Sequence, residues 1–223
     1  MDPIAHLGLA TAAFLLTHFV SSTPLRATLV ARLGQRAYLA LYVVVAFITL
    51  GWMIAAYRHA PRELLWIGWR HVPLLVMPFA LVLLATGIRT RNPTAVMQES
   101  QLRSPEPARG VLRITRHPLM WAIALWAAVH VLARGDMKSL IFFGGLLLLA
   151  LMGTVLIDRR KAALGTDWHR FTAVTSNVPF VAIAQGRNRF APGEIGYRLP
   201  LIGLVLFAVV FILHPYIFGA RPY

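Results

Sequence analysis

Six long apolar runs alternate along the chain with short polar and basic stretches. The runs fall at about 4–20, 38–56, 73–88, 118–133, 139–157 and 199–218. Each approaches the roughly 20 residues that cross a ~30 Å hydrocarbon core, the third and fourth being short. The pattern predicts an all-α, polytopic integral membrane bundle of about six transmembrane helices, forming one domain over 1–223. The first run is preceded by Asp2 and no positive charge, while Arg26, Arg32 and Arg36 follow it. A cleaved signal peptide has the opposite polarity, so this run reads as a retained helix with its N-terminus outside.

The charges between runs give the same orientation. With the N-terminus outside, the stretches 24–37, 89–117 and 158–198 are cytoplasmic and hold 3, 6 and 7 Lys+Arg. The outer stretches 57–72, 134–138 and 219–223 hold 3, 2 and 1, a split of sixteen to six that follows the positive-inside rule. Trp52, Trp66, Trp69 and Trp168 stand near run ends, where indole rings favour the interface. The polar stretch 92–109 carries three prolines and reads as an exposed loop. The segment 158–198 opens on Arg159-Arg160-Lys161 and has a helix start at Thr166 or Asp167. Its apolar piece 178–184 is too short to span and belongs at the interface or folded under the bundle.

Composition narrows the function. The chain of 223 residues is 58% hydrophobic and 13% charged, about half the charge of a soluble domain. Its formal charge of +14 follows from basic inner loops and calls for no nucleic-acid partner; the lipid bilayer is the partner it implies. The absence of cysteine excludes disulfides, thiolate metal sites and thiol nucleophiles. Any metal or haem must then rely on other ligands, and eight histidines are present.

No Asp or Glu falls inside the six runs, so the intramembrane ionisable candidates are histidines. His18 lies in the first run, His117 at the start of the fourth and His130 within it. His18 and His130 each alone read as a neutral imidazole bonded to a neighbouring helix. Two such histidines without a carboxylate also suit a bundle holding haem or a quinone-like group. His6 and His214 lie near run ends, while His59, His71 and His169 fall in loops.

The stretch 115–136, TRHPLMWAIALWAAVHVLARGD, resembles the signature of the NnrU family, and 15–36, LLTHFVSSTPLRATLVARLGQR, resembles that family's other recognisable block. The resemblance implies a link to denitrification, that is, to nitrite and nitric oxide metabolism. It implies a bacterial inner-membrane location, and a respiratory or denitrification complex or a lipophilic small molecule as partner. The related plastid zeta-carotene isomerase uses haem b on two histidines. By motif, those ligands fall on His18 and His130. Upright helices would put the two more than ~10 Å apart in depth, so His117 stands as substitute for His130. Arg26 and Arg116 are then candidates for the haem propionates. More distantly, Arg116-His117-Pro118 with Ala163-Leu164-Gly165, Trp168, Phe171 and Asn177-Val178-Pro179 is similar in layout to the isoprenylcysteine carboxyl methyltransferases. Where those enzymes carry an acidic pair, this chain has Asp158-Arg159-Arg160-Lys161.

The expected protein is an NnrU-type membrane protein with haem b, linked to nitrogen-oxide metabolism or to isomerisation of a lipophilic substrate. A methyltransferase-like enzyme with a cytoplasm-facing cofactor pocket, or a non-catalytic assembly factor, are the alternatives. The topology has a direct test. Reporter fusions at Gly34, Pro105 and Gly186 should all report the cytoplasm, and an outer signal from Pro105 would overturn the six-crossing count.

Overall fold

The computed structural model describes residues 1–222. They form ten helices: α1 (Pro3–Val20), α2 (Pro24–Leu33), α3 (Gln35–His59), α4 (Val72–Arg89), α5 (Pro118–Arg134), α6 (Met137–Lys161), α7 (Thr166–Val174), α8 (Val181–Ala184), α9 (Pro192–Ile195) and α10 (Arg198–Phe218). Beside them stand short 3-10 turns and one isolated antiparallel bridge, Leu64 to Asp136. The chain is an all-α helix bundle of membrane character. α1, α3, α4, α6 and α10 are long and apolar enough to cross a membrane, and α5, at 17 residues, is shorter.

The long helices stand in a row whose order is not the chain order. α3 packs on α1, α1 on α6, α6 on α5, α5 on α4 and α4 on α10. α6 is therefore central although it comes fifth among the long helices. The apolar core lies mainly among α1, α3 and the first half of α6, where Leu7, Ala10, Phe14, Met53, Phe142 and Phe143 are buried. The outer sides of α3 and α10 stay exposed, as membrane-facing surfaces do.

Boundaries follow capping chemistry. Asp2 accepts the Ala5 N–H at 2.8 Å and Pro3 opens α1, where the missing donor costs nothing. Asp136, fully buried, accepts the Ser139 N–H at 2.9 Å and starts α6. Arg62 on the loop before α4 supplies its counter-charge at 3.0 Å. α6 continues through the basic triplet to Lys161, so Asp158 lies on the helix rather than in a following loop.

Three further features differ from the sequence reading. The stretch after α1 folds as the helix α2, none of whose residues is buried. Trp168 is buried with Phe171 against Leu102, Val111 and Leu112, instead of sitting at an interface. α7 thus packs beneath the 99–113 segment, and the basic end of the bundle carries a small apolar core of its own. The signal was present in Trp168 and Phe171, three apart on one face of a short helix.

α10 joins the row at a close approach. A Cβ built on Gly203 would lie 2.6 Å from the Val82 Cα of α4, so only glycine allows the two backbones to meet there. Gly203→Ala should therefore push α10 off α4. In detergent the variant should unfold at lower temperature, with overpacking costing about 1–3 kcal/mol. An unchanged melting curve would show that α10 contributes little to the bundle.

Candidate functional site

Arg116, His117 and Asp158 meet at the basic end, between the start of α5 and the last turn of α6. The Arg116 guanidinium binds the Asp158 carboxylate through Nε, 3.0 Å from each oxygen, and through Nη2. His117 Nε2 lies 2.8 Å from Asp158 Oδ1. An ionised carboxylate only accepts, so this geometry assigns the proton to Nε2. His117 Nδ1 then carries a lone pair; it is buried and has no hydrogen-bond partner. Burial holds the imidazole below its ordinary pKa, against the upward pull of the Asp158 hydrogen bond.

Local sequence explains the position. Pro118 occupies the first turn of α5, which leaves His117 as the N-cap. The preceding residues are clasped from two sides. Arg116 N–H donates to Ser176 O at 3.0 Å, Thr115 Oγ1 donates to Asn177 O, and Phe180 N–H donates to Ile114 O at 2.8 Å. From the other side, Asn92 Nδ2 donates to Arg116 O at 2.9 Å. Trp121 Nε1 completes the clasp by donating to Asn177 O at 2.8 Å. Asn92, Asp158 and Asn177 are thus the residues that sequence reading missed as organisers of the site. The turn signals Asn92-Pro93 and Asn177-Val178-Pro179 marked two of them.

A second clamp lies nearby. Glu194 accepts from Arg113 Nε and Nη2, both at 2.8 Å, and from Gly110 N–H at 2.9 Å. The Arg113 guanidinium and the Gly110 amide hold its carboxyl down to about 2. This pair fastens the 185–196 segment to the turn before α5, and so braces the Arg116 region from below.

His18 and His130 sit elsewhere. His18 Nδ1 donates to Phe14 O at 2.8 Å, and its ring lies between Phe14 and Tyr42. His130 Nδ1 donates to Trp126 O at 2.7 Å, with Phe143 stacked 4.9 Å away. Both back-bonds leave Nε2 with a lone pair, the tautomer an axial ligand needs. Their depths differ. Thr11 meets Gly145 across the α1–α6 contact, His18 lies seven residues beyond Thr11, and Phe143 lies two before Gly145. With α1 and α6 parallel, nine residues amount to about 13 Å along upright helices. The structure brings His117 to Arg116, but it does not bring His18 level with His130. Arg116 is engaged by Asp158 and Thr175 O, whereas Arg26 faces an open cavity at the basic end.

The cluster has a stability signature. Asp158→Ala leaves Arg116 without a counter-charge and should cost about 2 kcal/mol, less than a fully buried pair because both groups keep some exposure. Because His117 is buried neutral, the folded state binds fewer protons than the unfolded chain as pH falls through the imidazole range. Its contribution to stability is intact above that range and lost on acidification. His117→Asn should flatten this acid slope in melting experiments, and an unaltered slope would assign it to another group.

The family described as "NnrU protein" matches residues 6–222. Among curated proteins, the chloroplastic 15-cis-zeta-carotene isomerase of Arabidopsis thaliana is 33% identical over 115 residues, covering 50% of this chain and 31% of that protein. The Zea mays protein of the same name is 30% identical over 110 residues, covering 48% and 30%. The match therefore takes in under a third of the length of these relatives. No solved structure matches the chain. Since the family match runs from the first helix to the last, this chain belongs to the NnrU family.

Proposed function

We propose that this is an NnrU-type inner-membrane protein that binds haem b and acts on a lipophilic substrate by isomerisation. The observation that carries the reading is its likeness to two 15-cis-zeta-carotene isomerases, which lies on a chain built almost entirely of apolar helices. The nitrite and nitric oxide setting, with a respiratory complex as partner, comes from the family resemblance and completes the proposal.

The donor chemistry fits. His18 and His130 each present Nε2 while Nδ1 is held by the preceding turn, so neither ring has to break a bond to bind iron. Haem supplies a redox-active iron when bound. The chain's own part is to orient the imidazoles and to surround them with aromatic rings that exclude water. His18 is the first ligand in this proposal. His130 is the second on resemblance, which requires α1 and α5 to slide into level register. His117 is its substitute and already has a carboxylate partner to orient it, as metal-bound histidines commonly do.

Absorption spectra of detergent-purified protein test the assignment. Wild type from haem-replete cells should show a Soret band, and His18→Ala should abolish it or shift it from six- to five-coordinate. His130→Ala and His117→Ala then separate the second ligand, since only the true one alters the spectrum. His59→Ala, at the exposed last residue of α3, is the control. A colourless wild type would remove haem from the proposal, and adenosylmethionine binding would become the next measurement.

A further inference from the structure

Two adjoining cavities open at the basic end, one of about 400 Å³ and one of about 210 Å³. The larger lies between the C-terminus of α1, the start of α2 and the end of α6, and the smaller between α2, the start of α3, the 96–99 stretch and the end of α6. Arg26 and Arg160 line both, and Arg159, Ser22 and Leu156 line the larger. The lining carboxylate is Glu99, and it is already ion-paired with Lys161. Arg26 meets the face of Tyr38 with its guanidinium 5.7 Å from the ring centre. Arg160 donates to the Ser21 carbonyl at 3.1 Å. Among the described residues, Arg159 and the Ser22 hydroxyl have no hydrogen-bond or ion-pair partner.

Three guanidinium groups thus share one recess without a carboxylate of their own. Mutual repulsion makes that arrangement costly when empty, and a tetrahedral oxyanion relieves it with charge-assisted hydrogen bonds. The setting says where such an anion comes from. α2 borders the recess, buries none of its ten residues and mixes exposed Leu25 and Leu33 with Arg26 and Arg32. A helix of that composition beside membrane spans lies in the headgroup layer. The apolar lining of Leu156 and Ala27 adjoins the arginines, as the glycerol and first acyl carbons adjoin a lipid phosphate.

We infer that this recess is a binding site for the phosphate of an anionic phospholipid, held by Arg26, Arg159 and Arg160 with Ser22. The lipid pins α2 to α6 and fixes the end of α1, where Ser21 lies three residues beyond His18.

Native mass spectrometry with phosphatidylglycerol and phosphatidylcholine tests this on the detergent-purified full chain. Phosphatidylglycerol should bind roughly tenfold tighter than phosphatidylcholine, a margin that two surface arginines can supply. Arg26→Gln with Arg160→Gln should erase that preference. Arg159→Gln, at an exposed position, should weaken it several-fold in a chain whose packing is untouched. Arg103→Gln with Arg170→Gln removes equal charge from the same end and should leave it intact. Equal retention in the Arg26/Arg160 double variant and in Arg159→Gln would overturn the site. Displacement of the lipid from wild type by millimolar inorganic phosphate would likewise overturn it, in favour of a soluble anion. Loss of haem absorbance with unchanged lipid preference would assign the arginines to the cofactor instead.

Discussion

The contact between Arg116 and Asp158 fixes the middle of the molecule. α5 and α6 are antiparallel neighbours joined at one end by the two-residue link Gly135-Asp136, and the ion pair closes the other end. A carboxylate on the last turn of a membrane helix is expensive unless a cation meets it in fixed geometry. Here the bidentate guanidinium does so, and the neutral His117 ring takes the remaining lone pair of Oδ1. Because the residues around Arg116 are themselves hydrogen-bonded to 92–94 and 175–177, the pair also gathers both long basic segments under the bundle. Those segments fold over the site rather than hang from it, with Phe171 and Trp168 filling the space between.

Much of this was legible in the apolar runs. A continuous run of Leu, Val and Phe has one stable solution in hydrocarbon, so helix existence follows without knowing any neighbour. The helix ends were less so. Hydropathy stops counting at the first charge, which placed Asp158 outside the fifth run. Backbone hydrogen bonding continues through charged residues, and α6 runs on to Lys161. That short extension moved a carboxylate from an apparent loop to the centre of the site. It also gave His117 a partner that no reading confined to the membrane runs would find.

Neighbour order was not legible either. Chain order suggests that α1 packs beside α3 and then α4, yet α1 also packs on α6 while α4 and α10 lie on the far side of α5. Small residues decide these contacts: Gly145 admits Thr11, and Gly203 admits the α4 backbone. A glycine in an apolar run announces a close approach, but it does not say to which helix. His18 and His130, by contrast, were recognisable as intramembrane imidazoles at different depths from helix rise alone, and the α1–α6 register of the packed structure agrees with that separation.

The two ends of α1 therefore have different chemical surroundings. Toward its start, His6 meets the Trp52 indole, and Leu7 and Ala10 are sealed in the apolar core. Toward its end, His18 faces Tyr42 in a half-buried setting, three residues from a recess lined by arginine. At that end the imidazole has a fixed Nδ1 bond and an aromatic neighbour, and the recess begins at Ser21. His130 has the aromatic surroundings without a comparable cluster of cations, since nearby Arg134 lies about 3.7 Å from the buried Asp136 carboxylate. On the haem proposal the two rings are therefore alike in donor geometry, each offering Nε2 from a back-bonded imidazole, and they differ in what surrounds them.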